Sequence, residues 1–225
     1  FYSKEYIDEI PWKENDVDIV IDSSGIDDNV VNSYKLFKQG VNKVIITHSP
    51  NNSVDHTIIL GANENSFEKS KHNIISSSIC DANACAPVLK ILDEEFCVTD
   101  AFITTLHPWL GYQNLVDGSI KSVSSPGHYW TDFALGRSST DSLIPKPTSL
   151  VSALQKVLPN CTKNIYAMSM RVPTSIVSAS DMILSLDKSI SLKEIEEVFE
   201  RLENNYPDIV KINKESLVSI EPALS

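Results

Sequence analysis

The pattern over residues 18–47 restricts the fold more than any other stretch of the chain. Asp18–Asp22 (DIVID) is a short apolar run closed by the turn Ser23-Ser24-Gly25, as a buried parallel strand would be. Asp28–Gln39 predicts an amphipathic helix with Val31, Tyr34 and Phe37 on one face and Gly40 as its stop. Lys43–Thr47 (KVIIT) predicts a second strand. Parallel strands need a crossover, and a helix between two buried runs supplies one, so this is a βαβ unit of an α/β sheet. Further strands are expected at Thr57–Leu60 and Asn73–Ile75.

Beyond Cys80 the character changes. Ala84–Glu95 predicts a strong helix, Phe102–Leu106 a strand, and Asn164–Met170 and Ser178–Leu186 two long strands. Ser191–Asn204 predicts a charged amphipathic helix opened by a capping box between Ser191 and Glu194. Gly118–Ser149 is rich in Ser, Gly and Pro with little periodicity, and is expected to be a long functional loop.

Composition narrows the function classes. The 225 residues are 42% hydrophobic and 22% charged, ordinary values for a globular protein with a real core. The net charge of −11 comes without a basic stripe, which argues against nucleic acid as a partner. No apolar run has the length of a membrane helix, and the first residues lack the charged and apolar regions of a signal peptide. Cys80, Cys85, Cys97 and Cys161 show no C-x-x-C spacing, so no metal site is expected, and a chain of this length needs no disulfide framework. Reduced thiols in a cytoplasmic protein are the expectation, with Cys85, Cys97 and Cys161 inert and buried. His48, His56, His72 and His128 are expected at the surface.

Cys80 is the thiol with chemical context. It lies just before a predicted helix, where unpaired N–H groups and the positive end of the dipole favour a thiolate. Strand 102–106 ends at His107, and a Cys–His pair is the minimum for covalent thiol catalysis. A pair found this way is more often a buried thiol and a surface histidine, so it carries little weight alone.

The surrounding motifs add specificity. Ser78-Ile79-Cys80-Asp81-Ala82-Asn83-Ala84-Cys85-Ala86-Pro87 resembles the S-C-T-T-N-C-x-A-P segment of the phosphorylating glyceraldehyde-3-phosphate dehydrogenase family. Thr104-Thr105-Leu106-His107 resembles its T-T-V-H, and Gly136-Arg137 with Ile144-Pro145 and Thr148 resembles a third motif. Arg171-Val172-Pro173-Thr174 matches its R-V-P-T in full. Ile10-Pro11-Trp12, Ser24-Gly25 and Gly61-Ala62-Asn63 fit the second half of that family's NAD domain. The separation of Cys80 and His107 also matches.

The resemblance implies an α/β partial Rossmann NAD-binding domain over residues 1–79 and an α+β catalytic domain with a mixed sheet over 80–225. It implies oxidation of a small-molecule aldehyde with NAD or NADP. Cys80 would form the thiohemiacetal and then the thioester, His107 would act as base, and Asn83 would stay near the nucleophile turn. Thr148 and Arg137 correspond to the attacking-phosphate side and Arg171 to the substrate phosphate, while Ser24, Gly25 and Thr47 would contact the dinucleotide. A homotetramer formed through the catalytic sheet and the loop before Arg137 is implied as well. The Gly-x-Gly-x-x-Gly fingerprint and the family's C-terminal helix fall outside this chain, so the resemblance covers the middle portion of a family chain.

The departures sit at the anion contacts. Small hydroxyl residues flank the family's cysteine, whereas here Ile79 and Asp81 do, and a carboxylate there disfavours both a thiolate and inorganic phosphate. Leu110 replaces a phosphate-contacting threonine, Tyr112 replaces a small polar residue, and the loop before Arg137 is longer than usual. Asp81 is also compatible with a plain first-turn helix residue, Trp109 and Leu110 with repacked core, and Arg137 and Arg171 with scaffold ion pairs. Three readings stay open: a divergent aldehyde dehydrogenase, a catalytically weakened relative acting as a binding or regulatory subunit, and the standard glycolytic reaction with altered phosphate contacts.

Overall fold

The computed structural model describes residues 1–51, 54–111, 113–118 and 136–219. The chain forms two compact units, Phe1–Glu94 with Ser152–Cys161 and Glu95–Val151 with Thr162 onward.

The first unit holds β1 (Ile19–Asp22), α1 (Asp27–Leu36), β2 (Lys43–Ile46), β3 (His56–Thr57), β4 (Ile74–Ser76) and most of α2 (Cys80–Phe96). Its sheet runs β1-β2-β4-β3 with every pairing parallel, as the βαβ pattern requires. Val20, Val44, Ile46 and Ile74 pack with Val30 and Leu36 of α1 and with Ile7 and Val41. Helix α2 buries Ala82, Cys85, Ala86, Leu89, Leu92 and Phe96, a stripe at three- and four-residue spacing.

The expected face of α1 needs correcting. Val31 and Tyr34 are exposed, and the buried face carries Val30, Ser33 and Leu36. A serine can take a core position because its hydroxyl donates to Asn29 O at 2.8 Å, leaving no unsatisfied polar group. Periodicity scored on apolar residues alone therefore picks a face turned by one residue.

The second unit is built on β5 (Val98–His107), β6 (Ile144–Lys146), β7 (Ile165–Arg171) and β8 (Ala179–Leu186), in the order β6-β7-β5-β8. β5 and β7 are parallel, whereas β8 and β6 pair antiparallel with them, so the sheet is mixed as expected. On β5 the inner face buries Ala101, Ile103, Thr105 and His107, and Phe102 points the other way. α4 (Leu192–Asn205) opens with the anticipated capping box: Ser191 Oγ accepts from Glu194 N–H, and the Glu194 carboxylate accepts from Ser191 N–H at 2.8 Å.

Two elements escaped the sequence reading. β6 falls inside the stretch expected to be loop; it tolerates Pro145 because it is an edge strand that needs few N–H donors. α3 (Leu150–Val157) buries Leu150, Ala153, Leu154 and Val157 at helical spacing. The third strand is only His56–Thr57, not Thr57–Leu60. Cys85 and Cys161 are buried as expected, but Cys97 is exposed in a left-handed backbone conformation (φ 57°) between α2 and β5. His48, His56 and His72 are half-buried rather than surface residues, and His128 lies outside the described residues.

Candidate functional site

The cysteine belongs to the first unit and the histidine to the second. Cys80 is the first residue of α2, and the chain reaches it from β4 through a tight turn. Ser78 in that turn is buried and held at φ 64°, an unfavourable conformation for a residue with a Cβ. Asn83 secures the turn from below: its side-chain amide donates to Ser77 O at 2.8 Å and to Ile79 O at 2.9 Å. Ser77 N–H donates to Ile46 O at 2.8 Å, tying the turn to the end of β2. Asn83 therefore lies against the turn that leads into Cys80.

Asp81 lies in the first turn of α2 and is 5% exposed. Its Oδ1 accepts a hydrogen bond from Cys80 Sγ at 3.5 Å. The carboxylate thus faces the sulfur, and an acidic residue in a helix's first turn is favoured by the dipole in any case.

In the same unit, the turn after β1 gathers the dinucleotide candidates. Ser24 Oγ accepts from Ile26 N–H and from the Asn29 side-chain amide at 3.0 Å, and Ser24 N–H donates to Asp22 Oδ1. Gly25 adopts φ 71°, and a Cβ there would have no atom within 4 Å, so the backbone is open to close approach. Thr47 follows β2, and its N–H donates to Asp22 O at 3.0 Å, bringing the two strand ends together. A cleft of about 380 Å³ opens here, lined by Asp22, Ser24, Ile26 and Asn29 with Tyr6 and Trp12. The carboxyl ends of parallel strands are where α/β sheets bind ligands.

In the second unit, β5 delivers His107 at its last residue, 6% exposed. Ser178 Oγ lies 3.3 Å from its Nδ1. His107 pairs in register with Arg171 of β7, and the Arg171 guanidinium donates to Pro108 O at 2.8 Å, bracing the segment that leaves the histidine. Trp109 N–H donates to Thr174 O at 3.1 Å, tying that segment to the R-V-P-T turn. Leu110 N–H donates to the Gln113 side chain. Thr148 Oγ1 accepts from Leu150 N–H at 3.2 Å, the work of a helix-start residue. Arg137 forms an exposed ion pair with Asp117 at 2.9 Å. Tyr112 and most of the long segment before Arg137 lie outside the described residues.

Ser178 was not anticipated, and no sequence signal marks it. It is preceded by Val177 at φ 59°, an outlier conformation for a β-branched residue and of the kind that clusters at functional sites.

The chain thus holds a parallel α/β sheet and a mixed sheet, with a thiol at a helix start in the one unit and a buried histidine at a strand end in the other. A sequence model described as glyceraldehyde 3-phosphate dehydrogenase, C-terminal domain, matches residues 79–223, and the chain belongs to that family of oxidoreductases. It is 32% identical over 214 residues to glyceraldehyde-3-phosphate dehydrogenase 2 of Bacillus subtilis, covering 95% of this chain and 60% of the relative. It is 33% identical over 193 residues to the protein of the same name from Streptomyces avermitilis, covering 86% and 54%. The chain therefore spans little more than half the length of these relatives.

Proposed function

We propose that the protein takes part in oxidising an aldehyde, with Cys80 as nucleophile and His107 as its base. The observation that carries this reading is Cys80 as the first residue of α2 on a strained, Asn83-secured turn. Such a position gives the sulfur helix N–H groups to stabilise negative charge. Sulfur attack on the aldehyde carbon forms a C–S bond, and the imidazole takes the thiol proton. The guanidinium of Arg171 suits a phosphate on the substrate, since its planar fork matches two oxygens at once.

NAD or NADP, when bound, would supply the hydride acceptor. Ser24 lines the cleft after β1, and Gly25 in the same turn and Thr47 at the end of β2 are the further residues that would hold part of such a group. The organisation into a nucleotide-binding segment over 1–79 and a catalytic segment over 80–225 belongs to the same proposal, as does a cytoplasmic location. Among the described residues no helix is long and apolar enough to cross a membrane.

Self-association is part of this reading. On the outer face of the mixed sheet Tyr166, Phe102 and Ile183 stand in one register row, 60%, 46% and 67% exposed. Three large apolar side chains in a row on one open sheet face suit burial against a second copy.

A second reading, a weakened relative acting as a binding or regulatory subunit, draws on the bond from Cys80 to the Asp81 carboxylate, a contact that favours the thiol over the thiolate. Iodoacetamide labelling of Cys80 against pH, in the full-length protein and in His107→Ala, separates the two. Fast labelling near neutral pH that slows in the variant supports the enzyme. Labelling no faster than free cysteine and indifferent to His107 supports the subunit.

A further inference from the structure

We propose that Asp81 fills, with its own carboxylate, the anion place that α2 creates beside Cys80, so that inorganic phosphate is shut out and the acyl group on Cys80 is released to water. The inference deepens the aldehyde-oxidation reading and rests on it. A helix start offers unpaired N–H groups and the positive end of a dipole, which together attract anions. α2 has seventeen residues, so its start carries the full effect. In this chain the first turn already contains a carboxylate that is 5% exposed and 3.5 Å from the sulfur. A covalently held anion outcompetes one that must be drawn from solution. A phosphate ion approaching an acyl carbon on that sulfur would meet a like charge within a few ångströms, poorly screened because the carboxylate is buried. Water carries no charge and meets no such barrier.

The release step balances without a further reactant. The oxygen of water bonds to the acyl carbon and the C–S bond breaks. The sulfur keeps one proton of the water, and the other leaves with the carboxylic acid. In place of an acyl phosphate, the product is the free acid.

The test uses the full-length protein, Asp81→Asn and Asp81→Thr, with inorganic phosphate as the probe at constant ionic strength. Each protein is alkylated at Cys80 with iodoacetamide, with and without phosphate, and the two rates are compared within that protein. The wild-type rate is expected to be unchanged by phosphate, and the rates of both variants to fall several-fold. Protection of the wild type equal to that of the variants overturns the proposal, and so does an absence of protection in all three. Asp81→Asn keeps the side-chain shape, so the comparison survives if Asp81→Thr does not fold. Phosphorus NMR of glyceraldehyde 3-phosphate turnover in phosphate buffer gives the second readout: free acid supports the inference and acyl phosphate overturns it. If no aldehyde is oxidised, the dehydrogenase reading fails, while the protection experiment still decides whether Asp81 excludes phosphate.

Discussion

Ser178 Oγ sits 3.3 Å from His107 Nδ1, on a backbone that Val177 holds at φ 59°. A histidine acting through Nε2 needs its proton on Nδ1, and the Ser178 hydroxyl, which can accept as well as donate, offers that proton a partner. Ser178→Ala removes the acceptor and leaves the ring free to exchange tautomers. The loss of one hydrogen bond of about 1 kcal/mol predicts a fall of roughly fivefold in kcat with KM nearly unchanged, and a loss of stability of no more than about 1 kcal/mol. Nitrogen-15 chemical shifts of His107 provide a check independent of activity: they should report the Nδ1–H form in the wild type and a mixture in the variant. The same tautomer in both proteins would count against Ser178 as a positioning residue.

Two residues before the histidine, Thr105 Oγ1 donates to Ser169 Oγ at 2.8 Å across the β5–β7 pair, both side chains being buried. Thr105→Val takes from the buried Ser169 hydroxyl the donor of this bond, Ser169→Ala takes its acceptor from Thr105, and each should cost about 1–3 kcal/mol. The double variant removes both polar groups, and its cost should be less than the sum of the single costs. Urea unfolding of the four proteins tests this; strictly additive costs would mean that the two hydroxyls do not depend on each other.

Asn83 is mostly exposed, yet its amide makes both side-chain bonds that hold the turn before Cys80. Asn83→Ala should lower stability by about 1–3 kcal/mol, from two hydrogen bonds of ordinary net strength. It should also slow alkylation of Cys80, because the left-handed conformation at Ser78 persists only where its surroundings enforce it. Unchanged alkylation together with lowered stability would separate the turn's structural role from the thiol's reactivity.

The two arginines assigned to anions differ in setting. Arg137 pairs with Asp117 at an exposed site, and Arg171 donates to a backbone carbonyl beside the histidine. Exposed ion pairs contribute about 0–1 kcal/mol, so Arg137→Ala should unfold within that margin of the wild type. Arg171→Lys should cost more, since an ammonium does not reproduce the planar fork that braces Pro108. Denaturation midpoints of the two variants give the comparison.

β1 and β2 were legible because they are uninterrupted apolar runs separated by one helical pattern, and Cys80 and His107 were singled out because both stand in extended motifs. What stayed hidden has physical reasons. The buried face of α1 includes Ser33, whose hydroxyl is satisfied within the helix and so carries no apolar signal. β6 is short and contains a proline that only an edge position tolerates. The partner of His107 comes from residue 178, seventy-one positions away, and such a contact is made by β-sheet register, which local pattern does not encode. The side on which Asp81 would sit was likewise open in the sequence, because a first-turn aspartate is favoured by the dipole wherever its carboxylate points.

The imidazoles of His56 and His72 stack at 4.4 Å between centroids, with planes 12° apart. His72 Nδ1 accepts from Glu68 N–H at 3.0 Å, and His56 Nε2 meets Ser66 Oγ at 3.1 Å. Burial, and then the neighbouring His72, push the proton affinity of His56 below that of an ordinary histidine. The folded state therefore holds this proton less well than the unfolded chain, and below about pH 6.5 the unfolded chain binds more protons. The contribution to stability is complete above that pH and is lost as the pH falls through it toward the lowered folded value. Glu68 and Lys71 form an ion pair at 2.6 Å in the same turn, so the nearby charges largely offset each other. His56→Gln removes the titration while keeping a polar side chain of similar reach. Urea midpoints measured from about pH 8 to pH 5 should fall more steeply in the wild type than in this variant, with the two curves separating only below about pH 6.5. Parallel curves across that range would show that the stacked pair does not set the acid limit of this fold.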